Sequence, residues 1–357
     1  MATALVPGHP AVLRRPDEVA SSVLKVVLAR LRSGSSPRRR QDDHTVCLVV
    51  EGGGMRGAVS AGMCVLLEAA GAVRAFDRIY GVSAGALNGC ATATGQAALG
   101  ATVYRDAAAR RVINRARPLL GRPIIDFDLL FGDIIGKRKP LSIQGLATGP
   151  EFRALATSLE TRSLRVLADF ADSEEMLQAV RASAALPLGG AATPRFRGEP
   201  MVDGGLVEPI PYETAITEGA THVLVLRSRP PAYRKSAVME VGEALALRGD
   251  PDLLELYRAR SGTYNRQAAV LARATAWHDA RLLQVAVPDG TRLIGRLDSN
   301  DERVVRALQD GARAMASVIL DESVDLCWQP AVYRAVEASE AVDASSDAIG
   351  AAYVGAL

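Results

Sequence analysis

Residues 45–57 read TVCLVVEGGGMRG. An uncharged, β-rich run leads directly into three glycines, Met55, Arg56 and a fourth glycine. Apolar residues at helical spacing then continue to Gly71. The order repeats at once. DRIYGV (residues 77–82) has the pattern of a buried strand, and AGALNGCATATG (residues 84–95) that of a second helix. Strand, turn, helix, twice over, predicts a parallel sheet with helices on its faces.

Four glycines in seven residues are more than a turn needs, so something must approach the main chain itself. Three readings compete. Gly52, Gly54 and Gly57 match the G-x-G-x-x-G of a dinucleotide fold, which expects an acid about 20 residues on to hold a ribose. Asp77 has that distance, but it begins its strand and so lies at the opposite end from the glycine turn. A P-loop fails because no Gly-Lys-Ser/Thr follows. The third reading is an oxyanion hole. Acyl transfer puts negative charge on a carbonyl oxygen, which bare N–H groups at a helix start can receive. In that reading Arg56 adds positive charge or clamps the loop.

An oxyanion hole requires a nucleophile, and residues 81–85 read GVSAG. This G-x-S-x-G stands between a strand and a helix, as a nucleophile elbow does. Gly81 and Gly85 permit a tight turn that lifts the Ser83 hydroxyl above the sheet. Two glycine turns that end consecutive parallel strands share one edge, so the amides of one can face the hydroxyl of the other. Ser83 also needs a base. The four histidines are His9, His44, His222 and His278. The first two precede the body of the chain, His222 opens a strand at the wrong end, and His278 has no motif around it. Among carboxylates, Asp203 in MVDGGLVEPIP is followed by Gly204 and Gly205. An isolated Asp-Gly is ordinarily a β-turn.

Composition narrows the field. Apolar residues make up 48% of the 357, enough for a large core, but aromatics only 4%, so aliphatic side chains must fill it. A net charge of +2 gives no support to a nucleic-acid partner. No Cys-x-x-Cys pair or His/Cys zinc spacing occurs, so the cysteines read as reduced, buried thiols of a cytoplasmic protein, and no metal or other cofactor is expected. Neither a signal peptide nor a run of about 20 apolar residues is evident.

Residues 1–44 read as an N-terminal extension and linker, in which residues 18–31 (EVASSVLKVVLARL) form an amphipathic helix. Packing of that helix on the body is favoured over peripheral membrane contact. The body is expected over residues 45–325, and residues 326–357 form an Ala- and Ser-rich tail. Residues 104–167 are expected to supply the wall or cap of a site. A helix is predicted from Ser173, with Ser173 as its cap, and a strand over THVLVLRS (residues 221–228). A long helical region then starts at Pro251, ARLLQVAVP (residues 280–288) gives a last strand, and DERVVRALQDGARAMASVIL (residues 301–320) a last helix.

Together, EGGGMRG, GVSAG and the DGG of residues 203–205 resemble the patatin-like phospholipase family, whose motifs are G-G-G-x-R-G, G-x-S-x-G and D-G-G/A in that order. The resemblance runs from about residue 45 to 228 and more weakly to the last helix. It includes residues 182–226, with their Pro after a small-residue helix end and E-P-x-P after DGG. It implies a three-layer α/β/α sandwich with a mainly parallel central sheet, and a Ser–Asp dyad that works without histidine. Carried onto this chain, Ser83 is the nucleophile and Asp203 the base. The amides of Gly53, Gly54 and Met55 form the oxyanion hole, supported by Gly52, Arg56, Gly57, Gly81, Gly85, Gly204 and Gly205. Val82 stands where the family often has Thr, and Glu51 where it often has Ser or Asp. The implied substrate is a phospholipid or related fatty acyl ester, with Leu129, Leu130, Phe131, Leu186 and Leu188 as candidates for the acyl pocket. Two other readings stay open: an α/β-hydrolase triad of Ser83, an Asp and His278, and a non-catalytic lipid-binding protein on the same fold.

Overall fold

The fold is that of a computed structural model, which describes residues 20–319 apart from 109–111, 115, 121, 187–192, 238–246, 248, 274 and 275. The proposed tail and Leu188 lie outside the described residues. Strand β1 (Val46–Val50) runs into a 3₁₀ turn (Gly54–Arg56) and helix α2 (Gly57–Ala69), and β2 (Arg78–Val82) runs into α3 (Ala84–Ala93). Both strand–turn–helix units expected from the sequence are present. Helix α4 (Ala97–Ala108) and a π-helical segment (Asp128–Arg138) precede β3 (Glu151–Ser158) and β4 (Leu164–Leu167). Then come α5 (Ser173–Ala184), the hairpin of β5 (Arg195–Phe196) and β6 (Glu199–Asp203), α6 (Tyr212–Thr217) and β7 (His222–Leu226). Helix α7 (Pro251–Arg273), β8 (Ala276–Trp277), β9 (Ala280–Val285) and α8 (Asp301–Ile319) complete the described chain.

These strands form one sheet in the order β5-β6-β3-β2-β1-β7-β9-β8, with β4 also paired to β3. The centre, β3-β2-β1-β7-β9, is parallel, and β4, β5, β6 and β8 pair antiparallel. Alternation along β1 separates two cores. Val46, Leu48 and Val50 join the side covered by α1 to α5 and α8, while Cys47 and Val49 face α6 and α7. Helices therefore cover both faces of a mainly parallel sheet, the α/β arrangement expected.

Helix α1 (Ala20–Arg32) lies on this body. Its apolar face, with Val23, Leu24, Val27, Leu28 and Leu31, is buried in the larger core. Arg30 is 1% exposed and donates to Asp42 and Asp77 at 2.8 Å each. Asp77 also accepts from the N–H of Val46 at 2.7 Å and from Arg40. The residue that mimicked a ribose ligand in the sequence thus ties α1 and the linker to the opposite edge of the sheet from the glycine turn. No described helix is long and apolar enough to cross a membrane.

Helices α2 and α8 make the most extensive helix–helix contact. Gly62 and Gly311 lie where they touch. A Cβ on Gly62 would come 1.9 Å from the Leu308 carbonyl oxygen, and one on Gly311 would come 1.8 Å from that of Val59. The obstruction is backbone on both sides, so the helices would have to separate. Gly311→Ala is expected to destabilise the fold by about 1–3 kcal/mol. A urea titration reads this as a lower midpoint, and an unchanged midpoint would show that the crossing is looser than this.

Two expectations need correction. Ser173 begins α5 but does not cap it. Asp172 does, accepting from the N–H of Glu175 at 2.8 Å, while Ser173 Oγ accepts from the N–H of Ile143 at 3.0 Å. A carboxylate one residue earlier reaches the free N–H and also suits the helix dipole. Residues 104–167 do supply part of a cavity wall, as expected, and the correction is only that they also contain β3, the sheet neighbour of β2.

Candidate active site

The parallel strands β1, β2, β7 and β9 end on one edge of the sheet, and the segments leaving them converge there. A cavity of about 650 Å³ opens at this edge, lined among others by Gly52, Gly53, Gly54, Ser83, Asp203 and Gly205. Its size suits a drug- or lipid-sized group.

Ser83 occupies the turn between β2 and α3 with φ 57° and ψ −130°, a positive φ for a residue with a Cβ. Strain of this kind persists where neighbours hold it. Here the Ser83 N–H donates to Ser183 Oγ at 2.9 Å, and the Ser183 hydroxyl donates to the Leu155 carbonyl at 2.6 Å. Gly81 and Gly85 pack the elbow against neighbouring backbone. A Cβ at Gly85 would come 2.2 Å from the Val50 carbonyl oxygen. Gly57 and Gly204 are similarly crowded, by Tyr104 and by the Leu155 carbonyl respectively.

Asp203 ends β6, which pairs with β3 so that Asp203 lies opposite Ala156, one residue beyond the partner of Val82. That register carries the carboxylate to Ser83. Asp203 is 6% exposed, shares the cavity with Ser83 closely enough for the serine side chain to lower its pKa, and accepts the Gly205 N–H at 2.7 Å. Burial raises its pKa above the ordinary aspartate value. The Ser83 side chain, the Gly205 N–H and the charges of Lys235 and Arg260 oppose the rise without cancelling it.

The glycine loop passes beside Ser83. Gly54 has φ +61°, and a Cβ on Gly52 would come 2.6 Å from the Val82 carbonyl oxygen and 2.8 Å from Ser83 Cβ. No described residue accepts a hydrogen bond from the N–H of Gly53 or Gly54. Met55 departs from the expectation. Its N–H donates to the Arg296 carbonyl oxygen at 3.0 Å, which removes it from the available donors. Its side chain is buried instead. Arg56 lines the cavity with its Nε buried and without a hydrogen-bond partner.

The sequence reading missed what holds this loop in place. Glu51 and Arg227 are fully buried. Glu51 Oε2 accepts from Arg227 Nε at 2.8 Å and from the Ser228 N–H at 2.9 Å, and Oε1 accepts from Arg229. Ser228 Oγ donates to the Gly52 carbonyl at 2.8 Å, and Arg227 also donates to Tyr264 and Gln284. Burial alone would raise the pKa of Glu51, but Arg227 and Arg229 hold it below the ordinary value. The signal was available: charge in the R-S-R of residues 227–229 directly after an uncharged strand asks for a buried partner.

Of the candidate acyl-pocket residues, Leu130, Phe131 and Leu186 line the cavity, whereas Leu129 packs against the core. Val103, Ile113, Ile125 and Phe127 extend the apolar wall. The triad alternative loses its base. His278 lies in the turn between β8 and β9, at the start of β9 and so at the opposite sheet edge from Ser83, and it packs against Trp277. His222 starts β7 beside His44. None of these described histidines lines the cavity. Nor does any cluster of described His, Cys, Asp and Glu have the makings of a metal site.

Comparison with known proteins points the same way. The uncharacterized protein YjjU of Escherichia coli (strain K12) is 30% identical over 191 residues, which are 52% of this chain and 52% of that protein. The chain therefore spans about half the length of this curated relative. The crystal structure of VipD from Legionella pneumophila aligns over 87% of this chain and 79% of that one, at 11% identity and a TM-score of 0.33, too low to carry an argument. The model of the patatin-like phospholipase family matches residues 48–216, the span that holds the glycine loop, the Ser83 elbow and Asp203. Over that segment, a little under half of its length, the chain is similar to the patatin-like phospholipase family.

Proposed function

We propose that the protein is a serine hydrolase of phospholipids or related fatty acyl esters, with Ser83 as nucleophile and Asp203 as its base. The observation that carries this reading is the convergence of the Ser83 side chain, the buried Asp203 carboxylate and the Gly53 and Gly54 N–H groups, which no described residue accepts, on one cavity. Asp203 takes the proton as Ser83 Oγ bonds to the acyl carbon. The carbonyl electrons move onto oxygen, which faces the N–H groups of Gly53 and Gly54 and the start of α2. Collapse breaks the ester C–O bond, and the leaving alkoxide takes the proton from Asp203. Water then gives a proton to Asp203 and attacks the acyl-enzyme. The fatty acid departs as Ser83 recovers its proton.

The fatty acyl chain rests on the apolar wall of Ile113, Ile125, Phe127 and Phe131. The catalytic domain is residues 45–325, with α1 docked on it. The reading places it in the cytoplasm, acting at a lipid surface. The free, buried Cys47, Cys64 and Cys90 support a reducing compartment.

A fluorophosphonate probe tests the nucleophile. Folded protein is expected to carry one adduct, on the peptide containing Ser83. Absence of that adduct where a control serine hydrolase reacts would overturn the reading. Mass spectrometry of fatty acids released from a panel of liposomes identifies the ester.

The base must be ionised to act. Since the pKa of Asp203 is raised, kcat/KM should fall on acidification through a limb above the ordinary aspartate value of about 3.9. Lys235 and Arg260 lower that pKa, so removing either charge should move the limb to higher pH. A limb that stays put in both variants would separate Asp203 from the titration.

A further inference from the structure

The cavity wall carries one large apolar block and a set of cations. The block, from Val103 to Phe131, comes from the segment that includes α4 and the π-helix, and single apolar residues such as Leu87, Leu206 and Leu297 join it from elsewhere. Cations come from elsewhere: Arg56 follows β1, Arg229 and Lys235 follow β7, Arg296 follows β9, and Arg260 stands on α7. Among the described residues of the wall, Asp203 is the one carboxylate. Arg229 is paired with Glu51, which it shares with Arg227. Arg56 and Lys235 have no ion pair with a described carboxylate.

Both of these cations are half-buried. The Nε of Arg56 is buried with no partner, and its guanidinium is surrounded by the charges of Arg229 and Arg296. Asn265 pins the backbone of Lys235 to α7, accepting its N–H at 2.7 Å and donating to its carbonyl at 3.0 Å. Burial, then Arg260 and Arg229, hold the Lys235 ammonium down to about 7. Buried cations without a counter-charge are costly and rare. In the clamp around Glu51 the fold meets that cost with a carboxylate. At Arg56 and Lys235 it supplies no ion pair, only the field of Glu51 on the one and of Asp203 on the other, in a cavity open to ligand. Arginine and lysine are also the side chains best suited to phosphate oxygens.

We propose that Arg56 and Lys235, with Arg260 and Arg296 beside them, bind the phosphate of an anionic, amine-free glycerophospholipid and so select it over a zwitterionic one. The acyl chain lies on the apolar wall and the reacting ester at Ser83. A quaternary or primary ammonium on the head group would be carried into a wall of like charge, where Asp203 is already engaged by Ser83 and Gly205. The proposal rests on the hydrolase reading for the placement of the ester, but not for the binding of the phosphate.

The two can be tested apart. Titration of Ser83→Ala protein with dihexanoyl phosphatidylglycerol and dihexanoyl phosphatidylcholine, each as monomers below its micelle concentration, reads head-group binding without turnover and without a charged interface. The phosphatidylglycerol is expected to bind about tenfold to a hundredfold more tightly, the scale of one or two charge-assisted hydrogen bonds. Lys235→Gln and Arg56→Gln, each made in that background, should bring the ratio towards one. Sodium chloride should weaken only the anionic ligand. Equal affinities in the parent protein would overturn the proposal, as would a ratio that survives both substitutions. Should a substituted chain not fold, the comparison in the parent still decides. Selective binding with no hydrolysis by the unsubstituted protein would leave the subsite standing and remove the hydrolase reading. Hydrolysis without head-group selection would do the reverse. Wild-type kcat/KM on the same two lipids supplies the kinetic ratio, expected to follow the binding ratio.

Discussion

Ser83→Ala is expected to reduce ester turnover by roughly four orders of magnitude or more, while the protein stays folded. The substitution deletes one oxygen and leaves the elbow in place. The bonds that hold φ positive run from the Ser83 N–H to Ser183 and from Ser183 to Leu155, and none uses the hydroxyl. Asp203→Asn should be nearly as damaging for a different reason. The amide keeps the size of the carboxylate and can still accept a hydrogen bond, but it cannot take the Ser83 proton. Groups that act as one unit are not additive, so the double variant should be scarcely slower than either single one. The measurement is kcat on a short-chain nitrophenyl ester, with circular dichroism to check folding. Near wild-type turnover in Asp203→Asn would assign the base elsewhere. Independent, multiplying losses would show that the two residues do not share a step.

Glu51→Gln is expected to destabilise the fold by about 3–5 kcal/mol, the cost of leaving buried cations without their partner. Glu51 joins the end of β1 to the end of β7 through Arg227, the Ser228 N–H and Arg229. Glutamine matches the shape but not the charge, and fully buried Arg227 cannot turn to water. Ser228 holds the Gly52 carbonyl, so the loss should also loosen the glycine loop and slow fluorophosphonate labelling of Ser83. The effect depends on pH with a definite sign. The folded-state pKa of Glu51 is depressed, so its contribution is present above the unfolded carboxylate pKa of about 4.3 and is lost as the pH falls through the folded value. The stability difference between wild type and Glu51→Gln, read from urea midpoints, should therefore be full at neutral pH and shrink in acid. A difference below about 1 kcal/mol at neutral pH would mean that the clamp adds little beyond its hydrogen bonds.

How much of this was legible in the chain varies from element to element. Strands β1, β2, β7 and β9 announce themselves as short β-branched or leucine-rich runs, with a charge only near the start of β2 and β9, and the glycine turns after β1 and β2 mark where helices begin. Strand β3 does not. Its sequence EFRALATS has two alanines, one β-branched residue and two charges at its start, so local propensity alone suggests helix or loop. It becomes a strand because β2 on one side and β4 and β6 on the other offer it hydrogen bonds. The π-helical segment at Asp128–Arg138 was likewise visible only as a bulky stretch beside a site. Met55 shows a limit of motif reading. Its place in EGGGMRG made it an oxyanion donor, but the direction of its N–H is decided by Arg296, far along the chain.

From the sequence alone come the class of fold, the two strand–turn–helix units, and Ser83, Asp203 and the glycine loop as the candidates for acyl transfer. Backbone requirements of this kind are local, so a few contiguous residues suffice to state them. Tertiary structure alone decides that β6 pairs with β3 in the register that carries Asp203 to Ser83. It also decides that Glu51 meets Arg227 and Arg229, and that Arg56 and Lys235 share a wall on which no described carboxylate pairs with either. What a charged side chain does depends on the water and partners it is left with, and those are set by segments that come together only when the sheet closes its order.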